Sequence, residues 1–369
     1  MTKMKALLIV TGRGMGGDAV IGLNTAEALN KLGFEVEFAL DSKAPGLLFK
    51  KNNLSWYKID IPQSGGHAST KKTKLIAGLK LVKAIFKGIF LIKRVKPDIV
   101  VGIIGGGAVL ASIASKISRT PAISIVNTPV DSKLSLKFNS VIALTESPLY
   151  NNDIHSNSNS ISSNDSNEFF NVKGKKVFKS FYPLKIKEFK GNKENALLNL
   201  PDKFDKSKKT ILFSSGSSLF EMMAKGVNDF SKFTNEFNII VVGYPLKEEY
   251  NKYLEEDNII NLSYIDWLND LYEIIDLAVL TDDGVMVQEA IALGLPIIAL
   301  NRVKYGRYHN IEAIFPGAVI ESDLEDLNQT IITQINNLNK IRECSNSYRQ
   351  EVINSSSKIA NIIYSIMKN

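Results

Sequence analysis

The sequence predicts an α/β protein of two Rossmann-like domains, each built on a parallel sheet, that face each other across a cleft. Three observations lead to this prediction. Short apolar runs alternate with segments of helical period along most of the 369 residues, the alternation restarts after a polar break at 151–167, and several strand ends carry loops of small residues. A chain of this length with 44% hydrophobic residues can bury two cores.

The first half of the chain predicts an N-terminal domain over 1–185. The segment 151–167 is rich in Ser and Asn and almost devoid of large apolar side chains, so we expect a flexible surface insertion there. The predicted strands of this half are 6–10, 35–40, 99–104, 122–126 and 140–144, and its predicted helices are 19–32, 71–95 and 108–118.

The second half predicts a similar domain over 186–350, followed by a C-terminal helix at 351–369 that we expect to cross back to the first domain. The connection between the domains is expected near 183–190. The predicted strands of this half are 210–215, 238–243, 277–281 and 296–300, and its predicted helices are 218–232, 268–274 and 285–293.

Loops of small residues follow three of these strands, where open α/β sheets bind their ligands. Glycine there permits positive φ and exposes the N–H groups of the next helix, which suits an anionic or oxygen-rich ligand. Gly12, Gly14 and Gly17 also fit the dinucleotide fingerprint with Asp41 as a ribose acceptor, although glycines that only form a tight turn fit it equally. The loop residues are Gly12, Gly14, Gly16 and Gly17, then Gly105, Gly106 and Gly107, and then Ser215, Gly216 and Ser217.

A fourth loop, at the end of the strand 277–281, brings acidic residues to the same edge. Asp282, Asp283 and Gly284 precede a helix that carries Glu289. A carboxylate at this place can accept hydrogen bonds from two vicinal ribose hydroxyls, or it can simply complement the positive end of the helix dipole.

The net charge of +7 comes from one segment. Residues 61–97 contain nine Lys or Arg and no acid, whereas the rest of the chain has 36 basic and 38 acidic residues. A local patch favours an anionic surface over nucleic acid. On the helix 71–95 an apolar face with a lysine stripe predicts membrane contact, although an ordinary cover helix also fits. The predicted contact residues are Leu75, Leu79, Lys80, Val82, Lys83, Phe86, Lys87 and Phe90.

Cysteine usage and hydropathy bear on the compartment. The single Cys344 allows no internal disulfide, the basic start has no cleavage site, and no uncharged apolar run approaches the roughly 18–20 residues of a membrane span. We expect a cytoplasmic protein that is peripheral on the inner face of the cell membrane.

Five motifs resemble glycosyltransferase family 28, and within it the MurG-like UDP-N-acetylglucosamine transferases, which have the GT-B fold. GMGGD (14–18) is similar to GTGGH of that family and KPDIVVGIIGGG (96–107) to KPDVVVGTGGY. FSSGSS (213–218) is similar to GGSQG, YIDWLNDLYEIIDLAV (264–279) to FIDDMAAAYAAADLVI, and TDDGVMVQEAIALGLP (281–296) to RAGALTVAELAALGLP.

The resemblance implies an inverting transfer of a GlcNAc-like sugar from a UDP-sugar to a polyprenyl-linked cell-envelope precursor or another glycolipid, without metal or other cofactor. The C-terminal domain would bind the donor and the N-terminal domain the acceptor and the membrane. The implied donor residues are Ser215, Gly216 and Ser217 with the following helix N-terminus for the diphosphate, Ile265 (main chain) for the uracil, Glu289 for the ribose, His309 and Asn310 for the sugar, with Asp283 and Gly284 beside them. The implied acceptor residues are Gly14, Gly16, Gly17, Gly105, Gly106, Gly107 and Asn127.

The chain departs from the family where a base is needed. Asp18 replaces the histidine of GTGGH, SIVN (124–127) replaces HEQN, and SFYPL (180–184) replaces GNPVR. We predict that Asp18 is the catalytic base, although an unperturbed carboxylate near pKa ~4 is a weaker base than histidine near ~6.5. The alternative role of Asp18 is to N-cap a helix starting at Ala19.

Three other functions remain open at this point. A UDP-sugar 2-epimerase shares the fold and an element like Asp283, Gly284, Gln288 and Glu289. An NAD-dependent oxidoreductase is suggested by the first glycine loop, and a non-catalytic nucleotide-sugar-binding subunit by the missing histidine.

Overall fold

The structure is a computed structural model that describes residues 3–12, 17–61, 71–150, 169–185, 191–304 and 306–368, with only the backbone described for 71–79 and 81. The predicted insertion 151–167, Gly14, Gly16 and the side chains of Leu75 and Leu79 lie outside this description. The chain divides into two compact units, of which one comprises Met1–Ile186 with Asn354–Asn369 and the other Lys187–Ile353.

The first unit is an eight-stranded α/β domain. Apolar five- and six-residue runs form its central strands, because a strand covered by helices on both faces must be apolar throughout. Its elements are β1 (Lys5–Val10), α1 (Gly17–Lys31), β2 (Glu35–Asp41), α2 (Leu47–Lys51), β3 (Tyr57–Ile59), α3 (Lys71–Val95), β4 (Ile99–Ile103), α4 (Ile104–Ser118), β5 (Ala122–Val126), α5 (Pro129–Leu136), β6 (Val141–Ala143), β7 (Phe169–Val172) and β8 (Lys175–Lys179).

The strand order of this sheet is β3-β2-β1-β4-β5-β6-β8-β7. All neighbours are parallel except β7 and β8, which form an antiparallel hairpin. The order reverses between β1 and β4, which are paired from Ala6 opposite Ile99 to Ile9 opposite Gly102. The carboxyl ends of β1 and β4 therefore flank the switch point at which such sheets bind ligands.

Close packing of α3 on α4 covers one face of this sheet. Ala84, Leu91 and Ile92 of α3 belong to a buried apolar cluster with Leu110 and residues of β1 and β4. A Cβ on Gly88 would lie 3.1 Å from the Cβ of Ala114, so this glycine lets the two helices approach closely.

The second unit has a six-stranded sheet, and α11 continues from it into the residues assigned to the first unit. Its core is apolar and aromatic, with Phe213, Phe230 and Ile239 fully buried. Its elements are α6 (Lys193–Asn199), β9 (Thr210–Leu219), α7 (Glu221–Phe233), β10 (Asn238–Pro245), a 3-10 turn (Glu248–Tyr253), β11 (Ile259–Asn261), α8 (Leu268–Tyr272), β12 (Leu277–Thr281), α9 (Val285–Leu293), β13 (Ile297–Leu300), β14 (Val319–Ser322), α10 (Leu327–Ile335) and α11 (Leu338–Lys368).

The order of this second sheet is β11-β10-β9-β12-β13-β14, and every pair in it is parallel. The switch point lies between β9 and β12, which are paired from Ile211 opposite Leu277 to Ser214 opposite Leu280. Both sheets thus have the Rossmann strand order over their first six strands, and the predicted two-domain α/β fold class is confirmed.

Three of the predicted boundaries that flank the loops are wrong. The strand predicted to end near 215 continues as β9 to Leu219, because β10 shifts its register between Val242 and Tyr244 and keeps pairing with it. The helix predicted from 218 therefore begins at Glu221. In the first unit α1 begins at Gly17, two residues before the predicted start, which places Asp18 in its first turn.

Candidate functional site

The switch point of the second unit is lined by Ser214 of β9, where its pairing with β12 ends, and by the first turn of α9. The Ser214 hydroxyl donates a hydrogen bond to Met286 Sδ at 3.4 Å, so the two segments are in contact. Gly284, with φ 98°, precedes α9, and no side chain caps the helix. Uncapped N–H groups at a helix start favour an anion.

Two adjacent acids at the end of β12 have different surroundings. Asp282 is almost fully buried, and its Oδ2 accepts the main-chain N–H of His309 at 2.8 Å, while its Oδ1 has no partner in the described part of the chain. Burial raises the pKa of Asp282 to about 6. Asp283 instead contacts Lys304 Nζ at 2.6 Å and accepts the Thr281 hydroxyl at 2.8 Å.

Glu289 lies in the second turn of α9 between the buried residues Gln288 and Ala290. Burial raises the pKa of its carboxyl to about 7, although part of the residue remains accessible to solvent. No hydrogen bond or ion pair joins this carboxyl to another described residue. Burial, followed by the charge of Glu289, also raises the pKa of Tyr272 well above its ordinary value. A carboxyl without an internal partner can accept hydrogen bonds from a ligand.

Ile265 lies in the loop after β11, at the carboxyl end of the same sheet. Within the described ranges its main-chain N–H and C=O make no hydrogen bond. Tyr264, which precedes Ile265 in the sequence, stacks its ring on that of Tyr244, with centroids 6.1 Å apart and planes inclined by 11°. An open peptide edge of this kind can pair with a planar heterocycle that has both a donor and an acceptor.

The serines after Phe213 are only partly open. Ser215 Oγ donates to the carbonyl of Ser218 at 2.9 Å and accepts the N–H of Phe220 at 2.9 Å. Gly216 has φ 99°, which glycine tolerates. Helix α7 begins at Glu221, four residues after Ser217. The prediction that a helix starts directly after these serines is therefore wrong.

His309 and Asn310 follow β13 in a segment that turns back on itself. The Asn310 side chain accepts the N–H of Ala313 at 3.2 Å, and its amide oxygen is therefore engaged locally. The main-chain N–H of His309 donates to Asp282 at the end of β12. An imidazole can both donate and accept hydrogen bonds.

In the first unit the switch point is closed by carboxylates that bind the main chain. Asp18 Oδ2 accepts the N–H of Gly12 at 2.7 Å, and Oδ1 accepts the N–H of Ala19 at 2.9 Å. Burial raises the pKa of Asp18, against the opposing effect of these two bonds. Gly12 has φ 66°, and Gly17 is helical with open space beside it.

The second carboxylate of this kind, Asp131, was not predicted. It is fully buried, and it accepts the N–H of Gly105 at 2.6 Å and that of Thr128 at 2.8 Å, which ties the ends of β4 and β5 together. Burial raises its pKa. Gly105 and Asp131 are 26 residues apart, so their contact could not be predicted from the sequence. The only local indication of a role for Asp131 was its capping box with Thr128.

The three glycines after β4 differ in role. Gly105 has φ 61° and ψ −133°, which requires glycine, and Gly106 lies in the first turn of α4. A Cβ on Gly107 would lie 2.6 Å from the carbonyl oxygen of Ile9, so Gly107 allows α4 to pack on β1. Close packing therefore accounts for Gly107, which was predicted to bind acceptor.

Asn127, also predicted to bind acceptor, belongs to a chain of hydrogen bonds. Its Nδ2 donates to the hydroxyl of Tyr182 at 2.9 Å, and that hydroxyl donates to Glu146 Oε2 at 2.6 Å. Tyr182 and Glu146 lie 55 and 19 residues from Asn127, so sequence spacing gave no indication of the group.

The helix α3 has two apolar faces. Ala84, Gly88 and Leu91 are buried, whereas Phe86 and Phe90 expose 69% and 70% of their surface. Val82 is also exposed, at 53%, and so are Lys80 and Lys83. Lys87 is exposed but pairs with Asp60 at 2.6 Å. The predicted apolar face and lysine stripe are thus at the surface wherever side chains are described.

Two kinds of feature are absent from the described residues. No helix among them is long and apolar enough to cross a membrane. In the same ranges no three side chains of His, Cys, Asp or Glu are grouped so that they could hold a metal ion.

Part of the N-terminal half of the chain matches a known family of domains. Residues 8–124 match the model of the glycosyltransferase family 28 N-terminal domain. In structure the whole chain resembles GT-B proteins, and the predicted GT-B fold and the resemblance to family 28 are both confirmed.

The similar proteins themselves are as follows. The UDP-N-acetylglucosamine--N-acetylmuramyl-(pentapeptide) pyrophosphoryl-undecaprenol N-acetylglucosamine transferase of Wigglesworthia glossinidia brevipalpis is 37% identical over 124 residues, which are 33% of this chain and 34% of that protein. The protein of the same name from Polaromonas naphthalenivorans is 31% identical over 129 residues, 33% of this chain and 35% of that protein. The chain thus aligns with about a third of the length of these curated relatives.

Solved structures extend the likeness in fold to both units. Acinetobacter baumannii MurG has a TM-score of 0.64 and 18% identity, with 98% of this chain and 99% of that chain covered. A putative UDP-N-acetylglucosamine 2-epimerase from Listeria monocytogenes has a TM-score of 0.62 and 14% identity, with 100% and 96% covered.

Proposed function

We propose that the chain is an inverting glycosyltransferase that transfers a GlcNAc-like sugar from a UDP-sugar to a polyprenyl-linked cell-envelope precursor, or another glycolipid, at the cytoplasmic face of the membrane. The observation that carries the proposal is the carboxyl of Glu289, which lies at the ligand-binding edge of a Rossmann sheet and has no hydrogen-bond or ion-pair partner among the described residues. The match of 8–124 to the family 28 domain and the names of the relatives support it.

The second unit offers a matching group for each part of a uridine nucleotide. Two ribose hydroxyls can donate to Glu289, and the uracil, with one N–H between two carbonyls, can pair with the open main chain of Ile265. The diphosphate would lie by the start of α9, which no side chain caps, and by Gly216 and Ser217 of β9. Asp283, Gly284, His309 and Asn310 complete the proposed donor site.

In the proposed reaction the acceptor oxygen bonds to the anomeric carbon while the bond from that carbon to the UDP oxygen breaks, so the configuration inverts. UDP leaves with the bonding electron pair, and Asp18 takes the acceptor's proton. Burial, which raises the pKa of Asp18, makes it a better base than an exposed carboxylate. Its two main-chain bonds hold it in one orientation. Gly14, Gly16, Gly17, Gly105, Gly106 and Asn127 are proposed to contact the acceptor.

Membrane contact through α3 is part of the proposal. Val82, Phe86 and Phe90 present an apolar strip on the side opposite the buried face, and Lys80 and Lys83 flank it. Such a helix can insert its apolar side among acyl chains while each lysine near anionic headgroups contributes about 1 kcal/mol.

The most direct test measures UDP release from a panel of UDP-sugars, with and without polyprenyl-diphosphate acceptors in detergent. We expect release that depends on the lipid acceptor, and Asp18→Asn should abolish most of it while UDP binding persists. Conversion of UDP-GlcNAc to another sugar without lipid would indicate the 2-epimerase instead. Binding of the protein to NAD but not UDP would indicate the oxidoreductase, and UDP-sugar binding without turnover a non-catalytic subunit.

The membrane part has its own test, sedimentation with phosphatidylglycerol vesicles. Phe86→Ser with Phe90→Ser should reduce vesicle binding at least about tenfold, because each buried phenyl contributes about 1.5–3 kcal/mol. Exposed Leu198→Ser in the second unit is the matched control and should leave vesicle binding unchanged. Equal binding of the double variant and the parent would remove α3 from the proposal.

A further inference from the structure

The end of β12 presents an electrostatic problem for the proposed donor site. Asp282 and Asp283 stand next to the start of α9, where the diphosphate is proposed to bind. The motif RAGALTVAE, which this stretch resembles, has no acid at the corresponding places and begins with arginine. Two carboxylates beside a diphosphate repel it unless a positive charge offsets them.

Lys304 supplies a positive charge at this place. Its Nζ lies 2.6 Å from Asp283 Oδ1, and about three quarters of both side chains is buried. Burial alone would raise the pKa of Asp283, but Lys304, together with the hydrogen bond from Thr281 and the nearby His309, holds that pKa below its ordinary value. The lowered pKa keeps the Asp283 carboxylate charged beside Lys304, and solvent screens this partly buried contact less than a surface ion pair.

The ammonium is also directed toward the start of α9. A Cβ placed on Gly284 would lie 3.4 Å from Lys304 Nζ, so the charge sits against the residue that precedes the helix. Gly284 leaves that space open, and its φ of 98° disfavours any other residue. The neighbouring Arg302 is held elsewhere, with Nη1 2.8 Å from Asp323 and its guanidinium over the ring of Tyr308.

We infer that Lys304 binds the diphosphate of the nucleotide sugar and that Asp283 holds the lysine in position between turnovers. The inference rests on the proposed function. As the bond from the sugar to the diphosphate breaks, negative charge grows on the UDP oxygen, and a fixed ammonium stabilises that charge without reorganisation. Lys304 exchanges no proton in this step, and its effect is electrostatic.

Calorimetry with UDP and with uridine separates a phosphate contact from a structural role. Lys304→Met should weaken UDP binding about 10- to 100-fold, the range of a lost hydrogen bond to a charged group, and leave uridine binding unchanged. Lys304→Arg should restore most of the UDP affinity. Lys232→Met, which removes a lysine paired with Glu256 at 3.4 Å, is the control and should bind UDP like the parent protein.

Removal of Lys304 leaves Asp283 without its cation, which can destabilise the fold. The double variant Asp283→Asn with Lys304→Met removes both charges, and it should still bind uridine but bind UDP weakly. Raising the KCl concentration should weaken UDP binding more in the parent protein than in Lys304→Met or in the double variant, both of which lack the cation.

Three outcomes would overturn the inference. UDP binding within twofold of the parent in both Met variants would show that Lys304 does not contact phosphate, and equal loss of UDP and uridine would show a structural role. If the parent protein binds neither ligand, the proposed function itself fails, and this result is distinct from the first two.

Discussion

The two switch points share one strand order but use their acidic residues in opposite ways. In the first unit Asp18 and Asp131 each accept two or more main-chain N–H groups, so the acids hold the loops together. In the second unit Glu289 has no bonding partner among the described residues, and Asp282 has one oxygen without a partner. The carboxylates of the first edge bind its own main chain, whereas the second edge keeps carboxyl groups without such bonds in the described residues.

This difference argues against dinucleotide binding by the first unit. A pyrophosphate would need the N–H groups at the start of α1, but the carboxylate of Asp18 already accepts that of Ala19 and adds negative charge there. Asp41, the proposed ribose acceptor in that alternative, is only 2% exposed. The positive φ of Gly12 and the helical conformation of Gly17 are accounted for by the local backbone, and the second unit is the better candidate for the nucleotide.

The largest expected effect comes from removing the available carboxyl. Glu289→Ala should weaken UDP binding by about 100-fold or more, because two hydrogen bonds to a charged acceptor are lost. Calorimetric titration of the parent and of Glu289→Ala with UDP measures this loss of affinity. Glu256→Ala, which removes an exposed acid of the same unit, should bind UDP normally. Unchanged UDP affinity in Glu289→Ala would contradict the assigned role of this edge.

Ionisation of the buried Glu289 carboxyl should lower the stability of the fold as the pH rises. The pKa of Glu289 is about 7 in the fold and near 4.5 when unfolded, so the folded state binds the extra proton between these values and stability falls as pH rises through them. Glu289→Gln should therefore be more stable than the parent by up to about 3 kcal/mol at pH 8. Urea unfolding at pH 8 should show this gain, which should be absent at pH 4.

In the first unit, loss of the Asp131 carboxylate, which binds two loops, should lower the free energy of unfolding. Asp131→Ala leaves the N–H groups of Gly105 and Thr128 without their acceptor and should destabilise the protein by about 2 kcal/mol. Asp131→Asn keeps one acceptor oxygen and should cost less. Chemical unfolding of both variants checks the order, and an alanine variant as stable as the parent would show that water replaces the carboxylate.

The smallest expected effect distinguishes two glycines of one loop. Gly12→Ala should destabilise by about 1–2 kcal/mol, because φ is 66° and the new methyl would lie 3.0 Å from Leu40. Gly17→Ala should be neutral or slightly stabilising, since Gly17 is helical with free space beside it. Thermal melting of the two variants measures the contrast, which disappears if the loop tolerates alanine at both places.

Much of the fold was predictable because its signals are local. The apolar runs at 6–10 and 277–281 and the helical period at 71–95 and 285–293 all correspond to the observed elements. The extension of β9 to Leu219 was not predictable, since it depends on a register shift in β10. The β7–β8 hairpin was also missed, because its turn residues Lys173 and Gly174 lie next to a polar stretch that suggested only a loop.

The residues of the candidate sites also divide into those that the sequence predicted and those that it missed. Glu289, the glycine loops and Asp18 were found because they lie at fixed distances from strand ends, and their roles stay predictions. Asp131, Tyr182 and Lys304 were missed, since each meets its partner across 21 or more residues. No sequence pattern indicates a contact between residues so far apart in the chain.

The sequence by itself therefore determined the class of fold, the edge of each sheet that presents loops, and which residue types stand there, because hydrophobic period and turn chemistry are properties of neighbouring residues. Only the tertiary structure decided which carboxyl groups are satisfied by main-chain N–H groups and which remain open. That outcome depends on burial and on contacts between distant strands, and these set the pKa of Glu289 near 7 and bring Lys304 to Asp283.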